Sequence, residues 1–151
     1  MESQALTVTR RLAAILAADA ANFSRLVAQD EERTLRVLSG HRALIGQTIR
    51  AHGGRIVTTA GDSVLAEFSS PVQAVRAAVE IQRGLAQRNA AAGLATPLQF
   101  RIGINVGDVV VDGDDILGDE VNVAVRLERL APPGGICIAA SVREHVAGKL
   151  D

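Results

Sequence analysis

The sequence predicts one α+β domain in which helices pack on one face of a largely antiparallel sheet. Three observations predict it: elements in the order βαββαβ with a further strand appended, short strands joined by glycine turns, and 48% hydrophobic residues in a chain of 151. That order favours an antiparallel sheet covered by helices over a doubly wound parallel sheet. The length and hydrophobicity suit a single core, so we expect one domain over residues 1–151.

The first half of the chain contains a strand, a helix and a hairpin. An uninterrupted apolar run over residues 12–18, closed by Asp19, predicts a fully buried strand over about 12–19. Leucine and isoleucine at helical spacing then predict a long amphipathic helix over 23–52. The turn Ala60-Gly61-Asp62 joins two short strands, 55–59 and 63–68, and is typical of a hairpin.

The second half begins with a helix that Pro71 opens and that ends in the polar stretch 87–96. Alternating apolar residues predict a strand over 98–106, and Gly107-Asp108 predicts a second hairpin with a strand over 109–111. The remaining elements are a helix at 120–130, a turn rich in proline and glycine at 132–135, a short strand and a last helix near 142–147.

Composition excludes several classes of protein. Sixteen basic residues against seventeen acidic ones leave no basic stripe for nucleic acid, and 2% aromatic residues provide no platform for stacking bases. The apolar segment near the amino terminus is shorter than the roughly 18–20 residues of a membrane span. A single cysteine cannot form an internal disulfide. We therefore expect a cytoplasmic protein without a nucleic-acid partner or a membrane span.

Two aspartates are the first candidates for chemistry. Asp19 closes the first apolar run and Asp62 lies in the first hairpin turn. If both strands belong to one sheet, the carboxylates meet at its edge and can hold a divalent cation. After Asp19, small residues lead into the helix at Phe23 and Ser24, where backbone amides can face a phosphate. The alternatives are a helix cap for Asp19 and a plain turn residue for Asp62.

A second candidate pair lies on the helix at 120–130. Asn122 and Arg126 stand at i and i+4, so an amide and a guanidinium share one helical face. Arginine suits charge that develops on a phosphoryl oxygen, and asparagine can orient a sugar hydroxyl. The alternative is a solvated helix face on which Arg126 pairs with a neighbouring glutamate.

Four blocks of sequence, in order, span nearly the whole chain: Asp19 before Phe23-Ser24, then Ala60–Phe68, Arg101–Gly107 and Gly118–Leu127. Together they resemble the catalytic domain of class III adenylate/guanylate cyclases. The resemblance implies a ferredoxin-like βαββαβ core and a homodimer with active sites at the subunit interface. It also implies an enzyme of intracellular signalling that converts ATP, or alternatively GTP, into a 3′,5′-cyclic nucleotide and pyrophosphate.

The resemblance also assigns roles to the candidate residues. Asp19 and Asp62 match the two aspartates that bind two Mg²⁺ or Mn²⁺ ions per site. Asn122 and Arg126 match the pair that acts from the opposite subunit, where it orients the ribose and stabilises the transition state. In this scheme the ribose 3′-hydroxyl attacks the α-phosphate as pyrophosphate leaves.

The remaining substrate-binding candidates include one departure from the family. Phe23 and Ser24 follow the first metal-binding position, and Asp115 matches a purine-reading position at which aspartate is the adenine-reading version. The family usually places a lysine, the partner of that aspartate, where this chain has Thr58. A neutral, shorter side chain leaves Asp115 without its charged neighbour, so we expect purine selectivity or turnover to suffer.

A second departure is at the carboxy terminus. The family domain normally continues through a hairpin whose lysine binds the triphosphate, whereas this chain ends at Asp151, so we expect a domain truncated at that end. Arg55 and Arg101 are candidates to compensate for the missing charge. Both departures keep open the alternative of a degenerate cyclase domain that acts as a dimerising or nucleotide-binding regulatory module. A relative of diguanylate cyclases or polymerase palms is disfavoured, because the turn at Gly61 lacks their motif.

Overall fold

The computed structural model of the protein describes residues 9–150, which form a six-stranded sheet and five helices. The strands are β1 (Thr9–Ala20), β2 (Arg55–Ala60), β3 (Ser63–Phe68), β4 (Phe100–Asp112), β5 (Asp115–Leu117) and β6 (Ile136–Ile138). The helices are α1 (Phe23–Gln29), α2 (Glu31–Ala51), α3 (Pro71–Ala92), α4 (Asp119–Leu130) and α5 (Ala140–Val146). The sheet order is β2-β3-β1-β4-β5, with β6 beside β4. Only the pairing of β4 with β6 is parallel, which confirms the α+β fold and its largely antiparallel sheet.

Alternate residues of β1 face two different apolar clusters, because successive side chains of a strand point to opposite faces of the sheet. Leu16 belongs to the larger cluster, which also contains buried residues of α2, α3 and α5. Ile15 belongs to a smaller cluster with Ala124 of α4. Helix α4 therefore covers the opposite face from the other helices, and the expectation that all helices share one face is wrong for α4.

The residue pattern of β4 explains how closely α4 approaches the sheet. Ile102 and Ile104 point into the larger cluster, whereas Gly103 and Asn105 face α4. A Cβ atom on Gly103 would lie only 2.2 Å from the backbone nitrogen of Glu128. The Asn105 amide donates to the backbone oxygen of Glu120 at 3.0 Å and to its Oε1 at 2.8 Å. Small and polar residues on one face of β4 thus seat the helix directly on the strand.

The predicted helix over 23–52 is two helices. Asp30 interrupts it with an extended backbone (φ −161°, ψ 88°), and its side chain accepts the amide hydrogen of Arg33 at 3.2 Å as the N-cap of α2. Aspartate favours this position because its carboxylate replaces a missing helical acceptor. Helix α3 also continues through most of the stretch that was expected to end it, as far as Ala92.

The predicted hairpin at Gly107-Asp108 is wrong. Strand β4 continues through both residues to Asp112, because β1 pairs with it along this whole length, with Leu12 opposite Asp108. The turn lies instead between β4 and β5, where Gly113 adopts φ 61°, a left-handed conformation that suits glycine. Within residues 9–150, no helix is both long and apolar enough to cross a bilayer.

Candidate active site

Asp19 and Asp62 lie beside each other at one end of the sheet. Strands β1 and β3 are antiparallel neighbours, and Asp19 is paired with Ser63, the residue directly after Asp62. Asp62 occupies the β2–β3 turn, in which Gly61 has φ 58°. Both aspartates are partly exposed. Solvent and a ligand can therefore reach both carboxylates at this end of the sheet.

Arg101 contributes a positive charge at the same place. It stands opposite Asp19 on β4, and its Nη2 lies 3.4 Å from Asp19 Oδ1. The Arg101 Nε is buried and has no hydrogen-bond partner among the described residues. Sequence reasoning named Arg101 only as a possible source of compensating charge, whereas the structure pairs it directly with Asp19.

Glu128 is a residue of this site that sequence reasoning missed. It is only 4% exposed, its carboxyl group lies against that of Asp19, and its Oε2 atom is buried with no hydrogen-bond partner among the described residues. Burial, first, and then the contact with Asp19 and its negative charge raise the pKa of Glu128 to about 8, while Arg101 opposes the shift. Glu128 therefore carries a proton at neutral pH. Its spacing of four residues from the inward-facing Ala124 is the signal that could have found it.

Asn122 and Arg126 are both exposed on α4, one helical turn apart. Among the described residues, neither side chain forms a hydrogen bond, and Arg126 forms no ion pair with a neighbouring glutamate. The structure therefore does not join the pair to Asp19 or Asp62 within one chain. Both side chains are available to another molecule.

Asp115 and Thr58 lie on strands at opposite edges of the sheet, β5 and β2, and these two strands nevertheless contact each other. Both residues are exposed. Asp115 Oδ1 accepts the amide hydrogen of Ile116 at 2.8 Å, and Thr58 directly follows an irregularity in the pairing of β2 with β3. The strands that carry the two purine-reading candidates thus approach each other, although they are the opposite edges of the sheet.

Phe23 and Ser24 are the first two residues of α1, shortly after Asp19. Phe23 packs against the larger cluster and Ser24 is exposed. Asn22 precedes them in a left-handed conformation (φ 59°), and its side chain makes no capping hydrogen bond. The Asn22 side chain therefore does not cap α1, although Asn22 occupies the N-cap position.

The side chains at the Asp19 end of the sheet fit magnesium or manganese. Carboxylate oxygens are hard ligands, and Mg²⁺ is usually bound through one or two carboxylates together with substrate phosphates and water. Asp19 and Asp62 supply two such groups at a partly exposed edge, and Arg101 adds a cation suited to phosphate oxygens. The donor set therefore suits a divalent metal ion that shares its coordination with phosphate oxygens.

This fold, with paired aspartates at a sheet edge and an Asn/Arg pair on the helix beyond, is the architecture of a nucleotide cyclase domain. The family model described as the Adenylate and Guanylate cyclase catalytic domain matches residues 9–149. The match covers almost all of the sequence, so the chain belongs to this family.

Individual relatives agree with that assignment. The chain is 41% identical over 146 residues to "Putative adenylate cyclase 3" of Rhizobium meliloti, which is 96% of this chain and 25% of that protein. The crystal structure of an adenylate/guanylate cyclase/hydrolase from Silicibacter pomeroyi superposes with a TM-score of 0.87 at 42% identity, covering 96% of this chain and 85% of that one. The guanylyl cyclase Cya2 superposes with a TM-score of 0.85 at 28% identity, covering 95% and 82%. The chain spans about a quarter to a third of the length of the first curated relatives it matches.

Proposed function

We propose that this domain is an adenylate cyclase of cytoplasmic signalling, which converts ATP into 3′,5′-cyclic AMP and pyrophosphate as a homodimer with sites at the subunit interface. The observation that carries the proposal is the convergence of Asp19, Asp62 and Arg101 at one end of the sheet in a chain of this family. A relative named as an adenylate cyclase supports ATP as the substrate.

Asp19 and Asp62 would hold two Mg²⁺ or Mn²⁺ ions. When bound, such ions neutralise charge on the triphosphate and lower the pKa of the ribose 3′-hydroxyl. The hydroxyl proton would pass to water, a bond would form between the hydroxyl oxygen and the α-phosphorus, and the bond from that phosphorus to the leaving pyrophosphate would break. Arg101 lies beside Asp19 and would attract the phosphate oxygens that approach this edge.

Asn122 and Arg126 would act on the site of the partner subunit. Both side chains are exposed and, within residues 9–150, neither forms a hydrogen bond or ion pair with Asp19, which supports a role across the interface. Asn122 would orient the ribose, and the Arg126 guanidinium would stabilise the charge that develops on the phosphoryl oxygens. Each site would then need both chains.

The purine base of the nucleotide would lie near Asp115 and Thr58. Both residues are exposed, and their strands, β5 and β2, contact each other. A carboxylate at position 115 accepts a hydrogen bond from an amino group, as adenine offers. Phe23 and Ser24 remain predicted substrate-binding residues at the start of α1.

The proposal is tested by measuring cyclic AMP and cyclic GMP formation by the chain with Mn²⁺. We expect Asp19→Asn and Asp62→Asn each to lower the rate by about 100-fold or more, because each removes a carboxylate from a metal ion. Asp108→Asn, at an exposed aspartate of β4, is the matched control and should retain the rate. A wild-type dimer that forms neither product would overturn the proposal.

The second candidate function is a dimerising or nucleotide-binding regulatory module. It is favoured by one observation, the neutral Thr58 at the position where the family usually has a lysine, on a strand that contacts the strand of Asp115. Binding of ATP and Mn²⁺ by calorimetry, without formation of cyclic nucleotide by a dimeric sample, would support this module over the enzyme.

A further inference from the structure

We propose that Arg55 is a positioning residue for purine recognition: held by the buried carboxylate of Glu67, it fixes the β4–β5 turn that presents Asp115. The proposal rests on the proposed function, because Asp115 reads a purine only if the domain binds a nucleotide. It adds a residue at the end of the β2–β3 hairpin opposite the turn that holds Asp62, and it makes Arg55 a determinant of ATP selectivity.

The first part of the argument is how Arg55 is held. Its Nε and Nη2 donate to Glu67 Oε1 at 2.9 and 2.6 Å, across the pairing of β2 with β3. The Glu67 side chain is only 8% exposed, so these charge-assisted hydrogen bonds form largely out of water. Arg11, on β1, forms an ion pair with the same Oε1 atom. Glu67 thus fixes the orientation of the Arg55 guanidinium.

The second part is what the remaining nitrogen of Arg55 contacts. Its Nη1 donates to the backbone oxygen of Asp114 at 2.8 Å, in the turn between β4 and β5. On the far side of Asp115, Ile116 is 2% exposed in the smaller cluster, and its amide donates to Asp115 Oδ1. The exposed carboxylate of Asp115 is therefore held between two anchored neighbours, and Arg55 provides one of the anchors.

The third part is where this contact lies relative to the other purine-reading candidate. Arg55 and Thr58 belong to the same edge strand, β2, and an irregularity between Ile56 and Thr58 shifts the pairing with β3. Such a bulge changes the direction in which following side chains point. Within residues 9–150, Arg55 makes the one side-chain hydrogen bond from β2 to the β4–β5 turn. It therefore ties the strand that carries Thr58 to the turn that directly precedes Asp115.

Arg11 provides a matched control, because it pairs with Glu67 as Arg55 does but, among the described residues, forms no hydrogen bond to the turn. Replacing either arginine leaves Glu67 with one guanidinium, so both variants keep the buried carboxylate paired and should fold. Only Arg55→Gln also removes the bond to Asp114. A difference between Arg55→Gln and Arg11→Gln therefore reports the turn contact and not the ion pair.

The first measurement is amide hydrogen exchange of residues 112–117 in the metal-free protein, which does not depend on activity. We expect the amide hydrogens of these residues to exchange about tenfold faster in Arg55→Gln than in the wild type, because the variant loses a hydrogen bond from a charged donor. We expect Arg11→Gln to exchange at the wild-type rate. Equal exchange in the two variants would overturn the inference.

The second measurement is the ratio of kcat/KM for ATP to that for GTP, or the ratio of binding affinities with Mn²⁺ if no product forms. Arg55→Gln and Arg55→Lys should both lower this ratio, because lysine keeps the charge but lacks the fork that bridges two acceptors. A ratio that falls equally in Arg11→Gln, or in neither Arg55 variant, would contradict a role in purine recognition. An inactive wild type would instead remove the proposed enzyme and leave the exchange and binding comparisons to decide on Arg55.

Discussion

The buried carboxyl group of Glu128 on α4 lies against the carboxyl group of Asp19 on β1, although both residues are acids. Two ionised carboxylates in contact repel each other, so one of the two groups must hold a proton. Glu128 is the buried partner, and burial together with Asp19 raises its pKa from the usual 4.5 to about 8. The folded chain thus keeps a proton that the unfolded chain releases.

This proton makes stability depend on pH. Between about pH 5 and pH 8 the folded state binds more protons at Glu128 than the unfolded state does, so the free energy of unfolding should fall as the pH rises. Glu128→Gln removes the titration and keeps a hydrogen-bond donor toward Asp19. We expect this variant to match the wild type near pH 5, to exceed its stability near pH 8, and to show a flatter profile between them in urea denaturation of the metal-free protein.

The control for this prediction is Glu144→Gln, at an exposed glutamate of α5. This variant should keep the pH profile of the wild type, since an exposed carboxylate has nearly the same environment before and after unfolding. If Glu128→Gln also keeps the wild-type slope, Glu128 does not carry the buried proton.

Gly103 should be intolerant of any side chain. A Cβ atom there would lie 2.2 Å from the backbone nitrogen of Glu128 and 2.4 Å from the backbone oxygen of Ala124, and backbone atoms cannot move aside without shifting α4. We expect Gly103→Ala to lower the free energy of unfolding by about 3 kcal/mol or more, at the upper end of the cost of overpacking. Ile102→Val, on the other face of the same strand, should cost only about 1 kcal/mol. Urea denaturation of both variants compares them, and equal losses would contradict this view of the contact.

Local signals in the sequence predicted most of the elements. Pro71 opens α3 as expected, and Gly61 lies in the predicted turn between β2 and β3. The apolar runs and their periods also located β1 and α4 to within a few residues. These features depend on neighbours in the chain, so the sequence contains the information directly.

Features set by distant partners were not predictable in the same way. The helix expected over 23–52 breaks at Asp30, and β4 continues through Gly107-Asp108 because β1 lies beside it. The contact between the carboxyl groups of Glu128 and Asp19 arises only because α4 packs on β1 and β4. The sequence order of the candidate residues indicated a site, but the protonated glutamate and the paired Arg101 depend on the register of separate strands.

Thr58→Lys should increase the activity. Thr58 is exposed on β2, the strand that contacts β5, and an ammonium group there would supply the charged partner that Asp115 lacks. We expect kcat/KM for ATP to rise by about tenfold, the size of one hydrogen bond between charged groups. The matched control is Thr59→Lys, at the next exposed residue, whose side chain points to the opposite face of the strand. A rate unchanged in both variants would show that the threonine is tolerated.

Mixing two inactive variants should restore activity if each site draws residues from both chains. Asp19→Asn removes a metal-binding residue and Arg126→Ala removes a residue offered to the partner, so a mixed dimer contains one site with neither change. Random exchange of equal amounts gives half mixed dimers with one intact site of two, and we expect about a quarter of the wild-type rate. Asp19→Asn mixed with Asp62→Asn is the control. Each chain of this mixed dimer carries a damaged metal-binding half, so neither site is intact. Cyclic AMP formation after exchange measures the result, and recovery in the control mixture, or none in the first, would contradict a site shared between subunits.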